Sequence, residues 1–210
     1  MTLKKLTLLV ALVDLAFLQP KIFAQSFISF PDGIGVEIGG GQNNFYWRGN
    51  GPEGPFGWEP MNYTYFHLTP TVRFTYHASI IDGFALLPFT GYNEFGGTAN
   101  ISGDHSQYSF QAFELGTALL YEFSHISVGV GFKEKLCLSV EYRDAQANVK
   151  ENYTIAFPTW YDDAGVRCSY YVAPITFSLE GWFSVTNMAR PNSIVTIQEN
   201  HFRFLVGYTF

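Results

Sequence analysis

The sequence predicts an all-β chain, an eight-stranded antiparallel up-and-down barrel that crosses a membrane with its strands. Three observations predict it. Charged residues make up only 14% of the 210 and aromatics 18%, with 21 Phe and 13 Tyr, where a soluble domain carries roughly 25% charge. Apolar and polar residues alternate with period two in segment after segment, which is the mark of strands with one apolar face. No run of about 18 apolar residues follows Gln25, so no helix is available to span a bilayer. A closed barrel pairs its backbone polar groups between strands, so lipid tolerates it. The same composition excludes other classes. The chain is too apolar for disorder, and a net charge of -6 leaves no basic surface for nucleic acid. Two cysteines cannot staple a disulfide scaffold.

The first element is an address. Lys4 and Lys5 precede an apolar run from Leu6 to Leu18, Gln19-Pro20 breaks it, and Ala24 is a small residue at a cleavage position. That is the layout of a secretory signal peptide over residues 1–24, leaving 25–210 as the barrel domain. Asp14 and Ile22 depart from the ideal pattern, and no Cys follows to carry a lipid anchor.

Eight strands are expected, over 33–47, 63–78, 84–97, 108–123, 126–142, 159–172, 175–187 and 198–210. In the second, Phe66, Leu68, Val72, Phe74 and Tyr76 oppose His67, Thr69, Thr71, Arg73, Thr75 and His77. The third is apolar on both faces, so its facing stays open. In the fifth, even positions from Ile126 to Tyr142 are apolar except Glu134, which Lys133 and Lys135 flank. Either a bulge turns Glu134 inward, or the three residues form a turn and the strands number ten. In the seventh, Ile175, Phe177, Leu179, Phe183 and Val185 oppose Thr176, Ser178, Glu180, Trp182 and Ser184. The eighth is the most regular: Phe202, Phe204, Val206, Tyr208 and Phe210 alternate with His201, Arg203, Leu205, Gly207 and Thr209. Short turns at 79–83, 124–125 and 173–174 alternate with long polar loops at 48–62, 98–107, 143–158 and 188–197. That asymmetry is expected of an outer-membrane barrel with periplasmic turns and extracellular loops. A soluble sandwich or lipocalin-like barrel also shows period two, but the polar face here is too sparsely charged to coat a water-facing surface.

The terminal run Phe202-Arg203-Phe204-Leu205-Val206-Gly207-Tyr208-Thr209-Phe210 resembles the C-terminal strand of bacterial outer-membrane proteins. With eight strands the chain resembles the small OmpA/OmpX-type barrels, with a flavour of those of Bacteroidetes. The resemblance implies that Phe202, Phe204, Val206, Tyr208 and Phe210 form a signal for the barrel assembly machinery. It also implies a place in the outer membrane, contact with its lipid, and both termini periplasmic. No peptidoglycan-binding domain is expected after the last strand.

An eight-stranded barrel is about wide enough to be filled by its own side chains. Glu37, Arg73, Glu114, Glu122, Arg167, Glu180 and Arg203 have the inward parity, and buried charge is tolerated when paired. An interior ion-pair network is therefore expected, with Glu37 and Glu180 as partners of Arg203. No catalytic, cofactor or metal site is expected. Function would rest in the loops, through a partner or an envelope protein complex. A narrow pore is one alternative. A lipid A-modifying enzyme is another: deacylases of this architecture pair His-x-Ser with a carboxylate, and His77-Ala78-Ser79 and His125-Ile126-Ser127 are such triplets, the second followed by Glu141. Both fall beside predicted periplasmic turns, away from outer-leaflet lipid. His105-Ser106 sits in a polar loop, and Asp162-Asp163 reads as a polar pair at a strand end rather than a calcium site. Cys137 and Cys168 fall on opposite faces, so no bridge is expected.

Overall fold

The computed structural model describes residues 30–49, 69–101, 104–144, 149–152, 159–188 and 195–210. The signal segment 1–24, most of the loop 48–62 and residues 63–68 of the second strand lie outside them. Nine strands run in chain order: β1 (Gly33–Gly49), β2 (Thr69–Ile81), β3 (Phe84–Ile101), β4 (Asp104–Phe123), β5 (Ile126–Asp144), β6 (Val149–Asn152), β7 (Trp160–Val172), β8 (Ile175–Ser184) and β9 (Val195–Thr209). Every pairing is antiparallel. The sheet runs β4-β3-β2-β1-β9-β8-β7-β5, and a β4–β5 pairing closes it. The result is a closed eight-stranded barrel, with β6 appended to β5 beyond the wall.

The alternation in the sequence decides which side faces in. β2 buries Thr69, Thr71, Arg73, Thr75 and His77 and exposes Val72, Phe74 and Tyr76. Ile38, Phe74, Leu115, Val130, Leu179 and Phe202 are each more than half exposed. A water-soluble barrel has the opposite polarity, whereas lipid as the outer solvent demands this one. β3, whose facing the sequence left open, turns Ala85, Leu87, Phe89, Asn93 and Phe95 inward.

Three expectations need correction. β5 is one continuous strand, so neither a turn nor a ten-stranded count arises at Lys133–Lys135. Glu134 stays outward, and Lys133 and Lys135 are the residues buried inside. A bulge does occur, but opposite Gln111 and Ala112, which pair with Ser139 and Cys137. It leaves Leu138 outward and moves Val140 inward, reversing the expected facing of the last turns of β5. The 98–107 loop is mostly strand, since β3 reaches Ile101 and β4 starts at Asp104. The 143–158 loop contains β6, which pairs with Glu141–Asp144.

Within the β1–β9 pairing the two backbones approach so closely at Gly39 and Gly41 that no side chain fits there. A Cβ on Gly39 would overlap the Phe204 carbonyl oxygen and lie 2.8 Å from Leu205 Cα, and one on Gly41 would overlap the Phe202 carbonyl. At the turn end, Gly83 adopts φ 78° between β2 and β3, a conformation an L side chain resists.

Candidate functional site

The lumen is the candidate site, and polar side chains fill it in three tiers. At the turn end, Asp32 precedes β1 and accepts hydrogen bonds from the Ser79 amide (2.7 Å) and hydroxyl (2.8 Å). Those two bonds, the amide first, hold the Asp32 carboxyl below its ordinary value despite the small opposing effect of desolvation. His77 lies between Asp32, 3.3 Å from Nδ1, and Glu122, 2.6 Å from Nε2. Phe30 stacks on the His77 ring at 5.9 Å and lies 5.1 Å from the Tyr171 ring. Behind it is a cavity of about 30 Å³ bordered by His77, Ser127, Ser169, Arg167 and Glu37, which has room for ordered water but not for a substrate.

The middle tier is a belt of opposed charges. Arg73 donates through Nε to Glu37 (2.6 Å) and through both Nη atoms to Glu180 (3.2 and 2.5 Å). Arg167 donates to Glu180 (2.6 Å), to both oxygens of Glu37, and to Ser169 and Ser178. Trp182 Nε1 donates to Glu180 at 2.9 Å. Arg203 meets Glu114 at 3.0 and 3.2 Å, and Lys133 meets the same carboxylate at 3.0 Å. Aromatic faces cover the cations: Arg73 lies 4.4 Å from the Phe89 ring centre and Lys133 4.5 Å from that of Trp182. The third tier, toward the long connections, joins Lys135 to Glu199 (2.5 Å) and Asp163 (3.0 Å), with Lys133 3.1 Å from His201 Nε2.

The seven inward charges read from the sequence, Glu37, Arg73, Glu114, Glu122, Arg167, Glu180 and Arg203, are all buried in this lumen. Six of them form the belt, while Glu122 belongs to the His77 cluster. The expected partners of Arg203 are corrected. Glu180 is its register neighbour, but the Glu180 carboxylate is occupied by Arg73, Arg167 and Trp182, and Glu37 is held by Arg73 and Arg167. Arg203 instead reaches across the barrel to Glu114. Sequence reasoning missed Lys133, Lys135, Asp163, Glu199 and His201. For Asp163, Glu199 and His201 the signal was present, since they share the inward parity of Arg167 and Arg203 on their own strands; for Lys133 and Lys135 it was only their place opposite the apolar even positions of β5.

The catalytic triplets do not assemble. Ser79 bonds Asp32, while both His77 nitrogens face carboxylates. His125 Nδ1 lies 3.2 Å from the Tyr171 carbonyl, and the Ser127 hydroxyl is buried with no partner. Neither serine is therefore hydrogen-bonded to the histidine of its triplet. Asp162 and Asp163 face opposite sides of β7, half-exposed outside and buried inside, so they are not a pair. The side chains of His105 and Ser106 lie outside the described residues. Cys137 and Cys168 are free, one buried and one exposed. Of the C-terminal set, Phe202, Phe204 and Tyr208 face outward and Phe210 is 77% exposed.

These features define a class: a small transmembrane β-barrel of the outer-membrane type, with a charge-filled interior. Neither a protein-family profile nor a curated protein sequence matches the chain. Among solved structures, Neisserial surface protein A is 12% identical, with 85% of this chain and 98% of that one covered and a TM-score of 0.48. Ail, the attachment invasion locus protein of Yersinia pestis, is 8% identical, with 86% and 100% covered and a TM-score of 0.45. The outer-membrane protease OmpT of Escherichia coli is 13% identical, with 89% and 99% covered and a TM-score of 0.42. The barrel class rests on this chain's own strand pairing and apolar outer face, and a fold alone does not assign an activity.

Proposed function

We propose that the protein is an exported, non-enzymatic barrel of the outer membrane, with both termini periplasmic, whose long connections bind a partner protein, a surface polymer or an envelope complex. Phe202, Phe204, Val206, Tyr208 and Phe210 would serve as its assembly signal. One observation carries the reading: the lumen is closed by its own ion pairs. Arg73, Arg167 and Arg203 are at most 5% exposed. Guanidinium groups do not release their protons in proteins, so the belt is a fixed barrier to proton and cation passage. A plugged lumen, with neither His-x-Ser triplet assembled among the described residues, favours the connections at the long-loop end as the working surface.

The test has two arms. Purified barrel in a planar bilayer should show no conductance steps, and lipid A from cells with and without the protein should have the same acyl chains by mass spectrometry. Regular conductance steps would make it a pore, and a gained or lost acyl chain would make it a lipid A enzyme. Either result defeats the proposal.

A further inference from the structure

The lumen holds one carboxylate more than its permanent cations balance. Among the described residues it buries five cations, Arg73, Arg167, Arg203, Lys133 and Lys135, and six carboxylates. Five of the carboxylates belong to the belt and the third tier, where each meets at least one of those cations. The sixth, Glu122, meets the His77 ring, 2.6 Å from Nε2, and none of them. A buried carboxylate without a cation is costly, so the Glu122–His77 pair needs a proton. The other buried imidazole, His201, does not supply it, since its Nε2 receives the Lys133 ammonium.

The contacts of the ring place that proton. Its second nitrogen, Nδ1, faces Asp32 Oδ1 at 3.3 Å. Carboxylates only accept, and a neutral imidazole has a single N–H, so both contacts are attractive only when both nitrogens carry hydrogen. Asp32 lies in the segment that enters β1. Two residues earlier, Phe30 is buried with its ring stacked on His77 and 5.1 Å from the Tyr171 ring of β7. Residues 30–32 thus cross the turn-end mouth, with the small cavity behind them and the unpartnered Ser127 hydroxyl on its wall.

We infer that residues 30–32 are a strap over this mouth and that His77, as an imidazolium held between Asp32 and Glu122, is its proton-operated clasp. Loss of one proton leaves the ring a single N–H. Buried Glu122 keeps it, whereas the Asp32 side chain is more than half exposed and turns to water. The Nδ1 lone pair then faces a carboxylate, and the Phe30 ring no longer stacks on a cation. The two Ser79 bonds alone remain to hold the strap. Across the cavity the charged groups are Glu37 of β1 and Arg167 of β7, which pair with each other and keep their charges. His125 is turned to the Tyr171 carbonyl. The ring is therefore the group that switches. A contribution from a charged histidine is present at low pH and is lost as pH rises, so the strap closes in mild acid and loosens in alkali. The belt is untouched, and the clasp governs access to the mouth rather than conduction.

The reporter is the Ser79 amide, which donates to Asp32. Its hydrogen-exchange protection factor is measured by NMR on the full barrel in detergent at about pH 5 and about pH 9, either side of the ordinary histidine range. Each value is taken against the unstructured exchange rate at the same pH. Protection should fall about three- to tenfold toward alkali in the native barrel. His77→Gln offers one donor and one acceptor at any pH, and its protection should be low and the same at both. Independently of any variant, nitrogen-15 shifts of the native His77 ring should show both nitrogens protonated at the acid pH and Nε2 alone at the alkaline one. An unchanged native protection factor overturns the inference. So does an equal fall in His77→Gln, which would put the titration on another group. A ring with one protonated nitrogen in mild acid overturns it too, because Glu122 would then hold the proton and Asp32 would face a lone pair.

Discussion

Arg203 and Glu114 meet across the full width of the barrel. Arg203 is on β9 and Glu114 on β4, four strands apart in either direction around the closed sheet. Yet Arg203 Nη1 lies 3.0 and 3.2 Å from the two carboxylate oxygens. Removing one member of a buried pair leaves the other uncompensated, at about 3–5 kcal/mol. Arg203→Ala should therefore lower the urea midpoint of the detergent-folded barrel well below that of Arg143→Ala, whose side chain is exposed on β5. Lys133 remains 3.0 Å from Glu114, which places the cost at the lower end of that range. Equal midpoints would show that the Arg203–Glu114 contact contributes nothing.

The glycines of β1 predict a contrast. Gly39→Ala drives a methyl group into the β9 backbone at Phe204 and Leu205, where no side chain can rotate away. Gly181→Ala meets only the Phe202 ring at 3.5 Å and Val166 at 3.7 Å, which is ordinary contact on the outer face. Gly39→Ala should abolish the heat-modifiable folded band on an SDS gel, whereas Gly181→Ala should keep it. A folded Gly39→Ala barrel with native stability would contradict the close β1–β9 approach.

Lipid facing predicts a depth profile. Val166 is 54% exposed on the outer face in mid-strand, and Ile81 is 66% exposed beside the turn end. An arginine costs about 2–4 kcal/mol at the bilayer midplane and about 0–1 near an interface. Val166→Arg should be destabilised by the larger amount and Ile81→Arg by the smaller, measured by unfolding in phospholipid vesicles. Similar costs at both positions would contradict a bilayer-spanning wall.

Asp32 predicts a pH dependence. Its pKa is depressed below 3.8, chiefly by the Ser79 amide. A depressed carboxyl adds stability that is fully present above its unfolded value and is lost as pH falls through the folded one. Native barrel and Asp32→Asn should therefore differ in urea midpoint at neutral pH and converge as pH falls below that of a free aspartate. The exposure of Asp32 keeps the difference small. A gap that persists in strong acid would mean that the carboxylate charge is not what holds Ser79.

The fold was legible because period two survives in nearly every strand, and Phe202 to Phe210 displays it without a break. The site was legible by parity but not by partner. Arg73, Arg167 and Arg203 could be assigned inward from one-dimensional spacing, but the partner of Arg203 could not, because reach across a narrow lumen is a property of the closed cylinder. Lys133 and Lys135 were obscured by Glu134: a carboxylate on the lipid face looked like the anomaly to be moved inward, whereas the two lysines beside it were the buried charges. The Leu138 bulge carries no sequence signal, and it reverses facing beyond it. β6 was hidden in a polar loop because its four residues, Val149 to Asn152, are too few to establish a period.

The belt also sets an order of events for a chain entering a membrane. Arg73 and Glu180 are 107 residues apart, Arg167 and Glu37 are 130 apart, and Arg203 and Glu114 are 89 apart. None of these partners meets in a lone hairpin. A half-built sheet can keep the hairpin pairs Glu37–Arg73, Glu114–Lys133 and Arg167–Glu180, but it leaves Arg203 and the second contacts of Arg73 and Arg167 unmatched on the face that must leave water. Glu199, His201 and Arg203 all arrive on β9, the last of the described strands in chain order. That strand is the keystone: Arg203 meets Glu114 only once the sheet has closed on itself.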